Sequence, residues 1–454
     1  MENTLYLPEI REMLAEQDTA ALQEFCKALH PARTADFMGG LESTEVWQVL
    51  QYADPSERVE IFSYLPEATQ LEIVRTEGAT EVAALITELA SDDRVDLLQN
   101  IEKPLVQSLL GLLPAEDRRD ILRLQAYPEG TAGSVMTTEF AKLAESMTVQ
   151  EAFQELGRQV EDLETVYYLY IVDEQERLRG LVSARNLISA INKPNMLLQD
   201  LMDTQLIAVL AGDDQEQVAQ KVARYDLLAI PVIDEQNHML GIITHDDVID
   251  VIREEAVEDA YRSAAVAPLG QGYFDTHLLS LTWSRGIWLA VLFFAALLTA
   301  IVLKQYEARI ESWAWLSVFI PLIISSGGNS GNQSATLIIT ALTLQEISFR
   351  DWWRVVKREL AMGLLLGSGL ALCGILSTYF LFEETRSFPG IAIIPLTLLL
   401  VVICGTCTGS ILPLLFKRLG LDPALMSSPF VAGIIDILGI VIYMNIAVIL
   451  LTSI

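Results

Sequence analysis

The sequence predicts a multidomain chain: an all-α helical-repeat domain, a tandem α/β repeat, a connecting helix and an α membrane domain of five helices. Three observations carry this. Acidic charge is confined to one part, since residues 1–275 hold 51 Asp and Glu against 20 Lys and Arg, while residues 276–454 hold 9 against 10. Five long apolar runs, to be set against the ~20 residues that span a bilayer, occupy 286–303, 313–344, 360–382, 391–416 and 429–451. A patterned block around 171–183 returns at 232–244.

Residues 1–132 read as helices with short breaks. Apolar residues recur at helical spacing (Val59, Phe62, Leu65; Leu97, Leu98, Ile101), and prolines fall between the runs. Asp54-Pro-Ser-Glu-Arg-Val-Glu-Ile-Phe resembles Ser91-Asp-Asp-Arg-Val-Asp-Leu-Leu, and Leu113-Pro-Ala-Glu-Asp-Arg-Arg-Asp-Ile-Leu shares the flavour. Such a repeat predicts stacked helix pairs in a small solenoid. Its notable acids are Glu60, Asp92, Asp93 and Asp96; a charge run of this kind is by default a solvated face.

Residues 133–253 hold the clearer repeat. Ile171-Val-Asp-Glu-Gln and Gly180-Leu-Val-Ser return 61 residues later as Val232-Ile-Asp-Glu-Gln and Gly241-Ile-Ile-Thr. Val135-Met-Thr-Thr is echoed 66 residues on by Leu201-Met-Asp-Thr. Each unit reads as a helix (148–160; 214–225), two short β-branched strands joined by an acidic turn, and a further helix. Residues 254–275 are Ala-rich and carry Glu254, Glu255, Glu258, Asp259 and Arg262; they predict a connecting helix that ends near Pro268 and Gly270, just before the first span.

Residues 276–454 form the membrane part. In the second run, residues 325–333 lack any large apolar side chain, so they must face protein or a water-lined path. Gly327 and Gly331 make a GxxxG for close helix approach, and Asn329 and Asn332, spaced i,i+3, supply neutral oxygens. The fourth run repeats the style with Gly405-Thr-Cys-Thr-Gly409 and Pro413. Asp436 is the one charge inside the fifth run, where a carboxylate costs at least ~2.5 kcal/mol. Ala432, Gly433 and Gly439 share its helical face, and the other four runs contain no Lys, Arg, Asp or Glu. Asp436 is therefore either a protonated acid hydrogen-bonded inside the bundle or a cation site.

Residues 1–18 hold no apolar signal segment, so the acidic part is expected in the cytosol. With that start, inside loops carry Arg285, Arg350, Arg354, Lys357, Arg358, Lys417 and Arg418, and outside loops only Lys304, Arg309 and Arg386. This bias fits the positive-inside rule and leaves the C-terminus outside. Net acidity excludes nucleic acid and anionic lipid and asks for a cationic partner. Four cysteines offer no disulfide framework, and Cys404 and Cys407 within a span read as helix packing. An enzyme is not expected: the four histidines are scattered, and neither a nucleophile–base constellation nor a phosphate loop occurs.

The tandem unit resembles a pair of cystathionine-β-synthase (CBS) domains over 133–253. In that family the positions of Thr244 and Asp247 can hold a nucleotide ribose, which leaves ATP open as a partner; the first unit has Ser183 and Asn186 there. The whole order of parts, with Gly-Gly-Asn-Ser-Gly-Asn-Gln-Ser-Ala-Thr (327–336) and Leu-Asp-Pro-Ala-Leu (421–425) before the Asp436 helix, resembles the MgtE family of magnesium channels and transporters. The resemblance implies a homodimer in the inner (plasma) membrane, with a pore on its two-fold axis lined by the second and fifth spans. Asp436 would be the acid of the Mg²⁺ site, with the carbonyl of Ala432 beside it and Asn329 and Asn332 near. It also implies gating by Mg²⁺ held between cytosolic acids. The matching positions are Asp214, Glu216, Asp226, Asp247 and Asp250 in the CBS pair and Glu255, Glu258 and Asp259 in the connecting helix. Glu60, Asp92 and Asp96 match in the helical domain, where Asp92 and Asp93 compete for one place. Mg²⁺ takes oxygen ligands and keeps several waters, so one carboxylate per subunit with amide and backbone oxygens suits it, and a two-fold axis supplies the second acid. A carrier exchanging protons at Asp436, and a membrane-anchored nucleotide or metal sensor, are the competing readings.

Overall fold

Prolines punctuate the first part of the chain. Ten short helices follow one another: α1 (Leu7–Glu16), α2 (Thr19–Ala28), α3 (Pro31–Met38), α4 (Ser43–Leu50), α5 (Pro55–Ser63), α6 (Glu67–Thr76), α7 (Ala79–Glu88), α8 (Ser91–Gln99), α9 (Lys103–Leu110) and α10 (Ala115–Leu124). Pro31 and Pro55 open α3 and α5, and Pro66 and Pro114 stand just before α6 and α10, positions where a missing N–H leaves no bond unmade. α2 packs on α4, α3 on α5, α4 on α6, α5 on α7, α7 on α9 and α8 on α10. This skip-one pattern is the stacking expected of a solenoid. The computed structural model describes residues 6–160, 163–269, 273, 276–344, 346–381, 388–423 and 428–452. Gly270, Phe382, and Ala424 and Leu425 of the Leu-Asp-Pro-Ala-Leu motif lie outside them. The chain forms two units, Met1–Glu254 and Glu255–Ile454.

The tandem repeat forms two three-stranded sheets of one topology. β1 (Phe140–Ala144) runs parallel to β2 (Thr165–Val172), which pairs antiparallel with β3 (Leu178–Ser183). β4 (Val209–Leu210), β5 (Ala229–Ile233) and β6 (Met239–Thr244) repeat that order. α11 (Val149–Gln159) and α12 (Ala184–Ser189) flank the first sheet in sequence; α13 (Gln215–Tyr225) and α14 (His245–Ser263) flank the second. Ile171 pairs with Gly180 as Val232 pairs with Gly241. A Cβ on Gly180 would lie 2.6 Å from Met202 Sδ, and one on Gly241 2.6 Å from the Thr137 carbonyl oxygen. The glycines therefore admit the Met-Thr and Met-Asp segments of the 66-residue echo. Those segments cross over: Thr137 N–H donates to Ile242 O (2.8 Å) on the second sheet, and Asp203 N–H to Leu181 O (2.8 Å) on the first. Each half is completed by the segment that leads into the other. The core of α1–α10 continues into the second half through Val218, Ile230, Ile243 and Val248.

The expected connecting helix is not a separate element. α14 runs unbroken from His245 to Ser263, because no Gly or Pro interrupts 245–263; just beyond it Ala265 turns left-handed, with a φ of 58°.

The second unit continues with α15 (Leu278–Lys304), α16 (Glu307–Ser312), α17 (Trp315–Thr343), α18 (Trp352–Leu381), α19 (Phe388–Arg418) and α20 (Ser428–Thr452). Four of the five expected spans, α15, α18, α19 and α20, are long and apolar enough to cross a membrane. α17 is as long, but its polar centre at 325–333 takes it below that level of apolarity. It is packed instead against α19 and α20. A Cβ on Gly327 would meet Val401 Cγ1 at 2.5 Å, one on Gly405 would meet the Gly327 carbonyl at 2.7 Å, and Gly409 abuts the Gly331 backbone. The two GxxxG stripes interlock. The third span starts earlier than the apolar run suggested, since α18 begins at Trp352 and so takes Glu359 inside the bundle, where it is buried.

Gly241→Val drives a branched side chain into the Thr137 backbone and should cost about 1–3 kcal/mol. Thermal melts should show it falling by several degrees, while Gly212→Ala, which meets nothing within 4 Å, stays within about one degree of wild type.

Candidate functional site

α17 and α20 meet where side chains are smallest. Ala432 and Asp436, one turn apart on α20, face Gly328: a Cβ there would lie 3.6 Å from Ala432 Cβ and 3.8 Å from Asp436 Oδ1. Asp436 is half-buried, and no described residue gives it a hydrogen bond or an ion pair. One turn beyond Gly328, Asn332 holds its Oδ1 buried without a hydrogen-bond partner. An unmet buried acceptor costs about 1–3 kcal/mol, so both groups want a positive or donating species. Asn329, by contrast, is exposed, and its Nδ2 donates to Ser325 Oγ at 3.3 Å. It belongs to a stripe. Ser325, Asn329, Gln333, Thr336 and Thr340 are all exposed on α17, at steps of four, four, three and four, which is one helical face. Lipid cannot cover such a face.

A second feature lies in the first unit. Asp92 and Asp93 start α8, where the helix dipole favours acids, and Asp246 and Asp247 start α14. The two sets oppose each other. Burial, then Asp247 and Asp93, hold the Asp92 carboxyl well above the usual range, and its Oδ1 has no hydrogen-bond partner. Burial, then Asp93 and Glu254, push Asp96 up to about 7, and burial with Asp247 and Glu139 pushes Glu164 to about 7. Asp93 is raised by burial and by Asp247 and Asp250. Asp247 is raised by burial although Thr244 donates to it from its N–H (3.1 Å) and Oγ1 (2.5 Å). Arg94 does not relieve them: it turns to Glu139 (3.1 Å) and Asp117 (3.7 Å).

A third group occupies the last turns of α14. Arg262 bridges Glu258 and Asp422, and Asp259 is raised by burial and by Asp422 and Glu255. The structure thus brings Asp92, Asp96, Asp247 and Asp250 together, and Glu255, Glu258 and Asp259 together. Glu60 is exposed on α5. Asp214, Glu216 and Asp226 serve α13 itself: Asp214 Oδ1 accepts from Gln217 N–H (3.2 Å), Glu216 from Gln220 Nε2 (3.1 Å), and Asp226 is the left-handed C-cap. Asp92 and Asp93 do not compete, since both face Asp247. Sequence reasoning missed Asp246, Glu164 and Asp422 as members of these groups. Only Asp422, inside a quoted motif, carried a signal. Among the described residues no three His, Cys, Asp or Glu close around one point.

Comparison with known proteins agrees with this layout. Residues 320–446 match the family model for the MgtE divalent cation transporter, 29–130 that for the MgtE intracellular N domain, and 132–193 and 198–254 that for the CBS domain. The chain is 35% identical to the magnesium transporter MgtE of Thermus thermophilus over 98% of both chains. It is 32% identical to that of Enterococcus faecalis over 96% of this chain and 95% of the relative. The chain belongs to the MgtE family. A solved structure, the cytosolic domain of the Mg²⁺ channel MgtE in complex with ATP, is 36% identical and covers 53% of this chain and 98% of its own, with a TM-score of 0.51. The MgtE transporter match spans α17 to most of α20, so it takes in the polar stripe and Asp436, and the N-domain match takes in the acids of α8.

Raised carboxyls bind protons in the folded state that the unfolded chain, with ordinary values near ~4, has released. Between the ordinary value and about 7, the values of Asp96 and Glu164, stability must fall as pH rises. Metal-free melts should therefore show the first unit more stable at pH 5.5 than at 7.5, and Asp96→Asn should flatten that slope; a slope of the opposite sign rules the assignment out.

Proposed function

We propose that this chain conducts Mg²⁺ across the plasma membrane along α17 and α20, and that Mg²⁺ collecting between its acidic cytosolic surfaces shuts the path. The observation that carries the reading is Asp436, a carboxylate with no ion-pair partner among the described residues that faces Gly328, one turn along α17 from the buried, unsatisfied Asn332 oxygen and at the edge of a polar stripe that lipid cannot cover. Mg²⁺ is a hard cation that keeps much of its water. Asp436 supplies charge, and Asn332, Asn329 and the Ala432 carbonyl accept from its hydration shell. The relatives' names, magnesium transporters, support the same cargo. A second copy completes the path: it covers the stripe, and on a two-fold axis it adds a second Asp436. The N-terminal unit faces the cytosol in this reading, which the bias of basic loop residues supports.

Gating follows from charge. The acids of α8 and α14 repel when bare and are drawn together by a divalent cation between them. Glu255, Glu258 and Asp259 lie on the same helix, α14, as Asp247 and Asp250. Asp214, Glu216, Asp226 and Glu60 take the same role on family likeness alone. ATP is a further ligand of the CBS pair beside Thr244 and Asp247, as a solved relative's cytosolic domain binds it.

Asp436→Ala should reduce Mg²⁺ uptake into liposomes to the level of empty vesicles while the protein still elutes as a folded oligomer. Uptake near the wild-type rate would remove Asp436 from the path. In patch recordings, Glu258→Gln with Asp259→Asn should raise the internal Mg²⁺ needed to halve conduction; an unchanged inhibition curve would make the acidity a solubility device.

A further inference from the structure

Glu359 is, like Asp436, an acid on one of the long helices of the bundle, and nothing in the proposed path uses it. It sits two turns into α18 and is 9% exposed. Its Oε2 accepts from Ser334 Oγ of α17 at 2.6 Å, and its main-chain oxygen accepts from Thr406 Oγ1 of α19 at 3.1 Å. No described Lys or Arg forms an ion pair with it. One turn along α18, a Cβ on Gly363 would lie 2.5 Å from Thr406 Oγ1 and 2.9 Å from Ile403 Cα. Three helices therefore meet at this one residue.

Glycine stripes bring helix backbones close, but they present few side chains that resist rotation or sliding. α17 and α19 meet through Gly327, Gly331, Gly405 and Gly409. A short, buried hydrogen bond to a carboxyl group is directional and strong, and the bond from Ser334 supplies what the glycines lack. Ser334 is two residues from Asn332 and next to Gln333, so fixing its azimuth fixes theirs. It lies six residues beyond Gly328, about 120° around α17, so Glu359 grips the helix away from Asp436. We infer that Glu359 is a positioning residue of the ion path: its carboxyl group clamps α17 through Ser334 and so aims Asn332 and the polar stripe. The inference rests on the reading of α17 as a wall of that path.

The test is Mg²⁺ uptake into liposomes as a function of Mg²⁺ concentration for Ser334→Ala, Glu359→Leu, Glu359→Gln and the Ser334→Ala/Glu359→Leu pair, beside Asp436→Ala. Ser334→Ala and Glu359→Leu should each raise the half-saturating Mg²⁺ concentration roughly tenfold, the worth of a buried charge-assisted bond, and the pair should be no worse than Glu359→Leu. Glu359→Gln keeps an oxygen for the Ser334 hydroxyl and should stay within about threefold of wild type. If Ser334→Ala leaves the concentration dependence unchanged, the clamp is wrong, whether or not Glu359→Leu folds. If Glu359→Gln is as damaged as Glu359→Leu, the charge rather than the bond is required, which also overturns positioning. An active Asp436→Ala with impaired Ser334→Ala refutes the path reading and leaves the clamp; the converse refutes the clamp alone.

Discussion

A carboxylate in the middle of an apolar helix, with no base at its depth, sets terms for the helices around it. Burying such a charge unpaired costs several kcal/mol, so α20 must turn Asp436 toward polar or open surroundings. The small face of Ala432 and the glycine at 328 leave that space. α17 can stand there only because its polar centre is held by protein on its other sides, through the interlocked glycines of α19 and buried anchors. Ser330 donates to the Val402 carbonyl (3.5 Å), Tyr443 to the Leu316 carbonyl (2.9 Å), and Lys417 to the Leu342 carbonyl near the C-terminus of α17 (3.1 Å). Each bond satisfies a group that lipid could not.

The first unit obeys the same electrostatics. Two like charges 4 Å apart repel by ~4 kcal/mol at an effective dielectric of 20. Several acids share the space between α8 and α14, and the nearby Arg94 is committed elsewhere. Protons relieve the strain at low pH and, in the proposed mechanism, divalent cations do so at neutral pH. A cation shifts such an equilibrium only by its differential affinity for the two arrangements. Acids near the start and the end of α14 lie on one continuous helix.

The tandem repeat and the helical bundle share a packing device. In the CBS pair, Gly180 and Gly241 admit the leading segment of the opposite half; in the bundle, Gly327, Gly331, Gly405 and Gly409 admit a neighbouring backbone. In both, the missing side chain lets main chain meet main chain, so a tolerance to substitution read from exposure alone would be wrong at these positions.

Much of this was legible in the order of residues. Helical spacing with prolines at helix starts specifies the solenoid, a repeat at 61 residues specifies the paired sheets, and hydropathy specifies the spans, because these signals are local and periodic. Asp436, Asn329 and Asn332 stand out as polar residues in apolar runs. What the sequence alone determined is therefore the inventory of elements, the charge imbalance and the membrane acid. Tertiary structure decided which of these meet. Glu359 reads as the edge of a loop until α18 is seen to start at Trp352 and bury it. Asp246 and Glu164 carry no pattern until α8 faces α14, and the two asparagines are equivalent until packing buries one oxygen and exposes the other side chain. Contacts between residues distant in the chain depend on how whole helices pack, and no local periodicity records that.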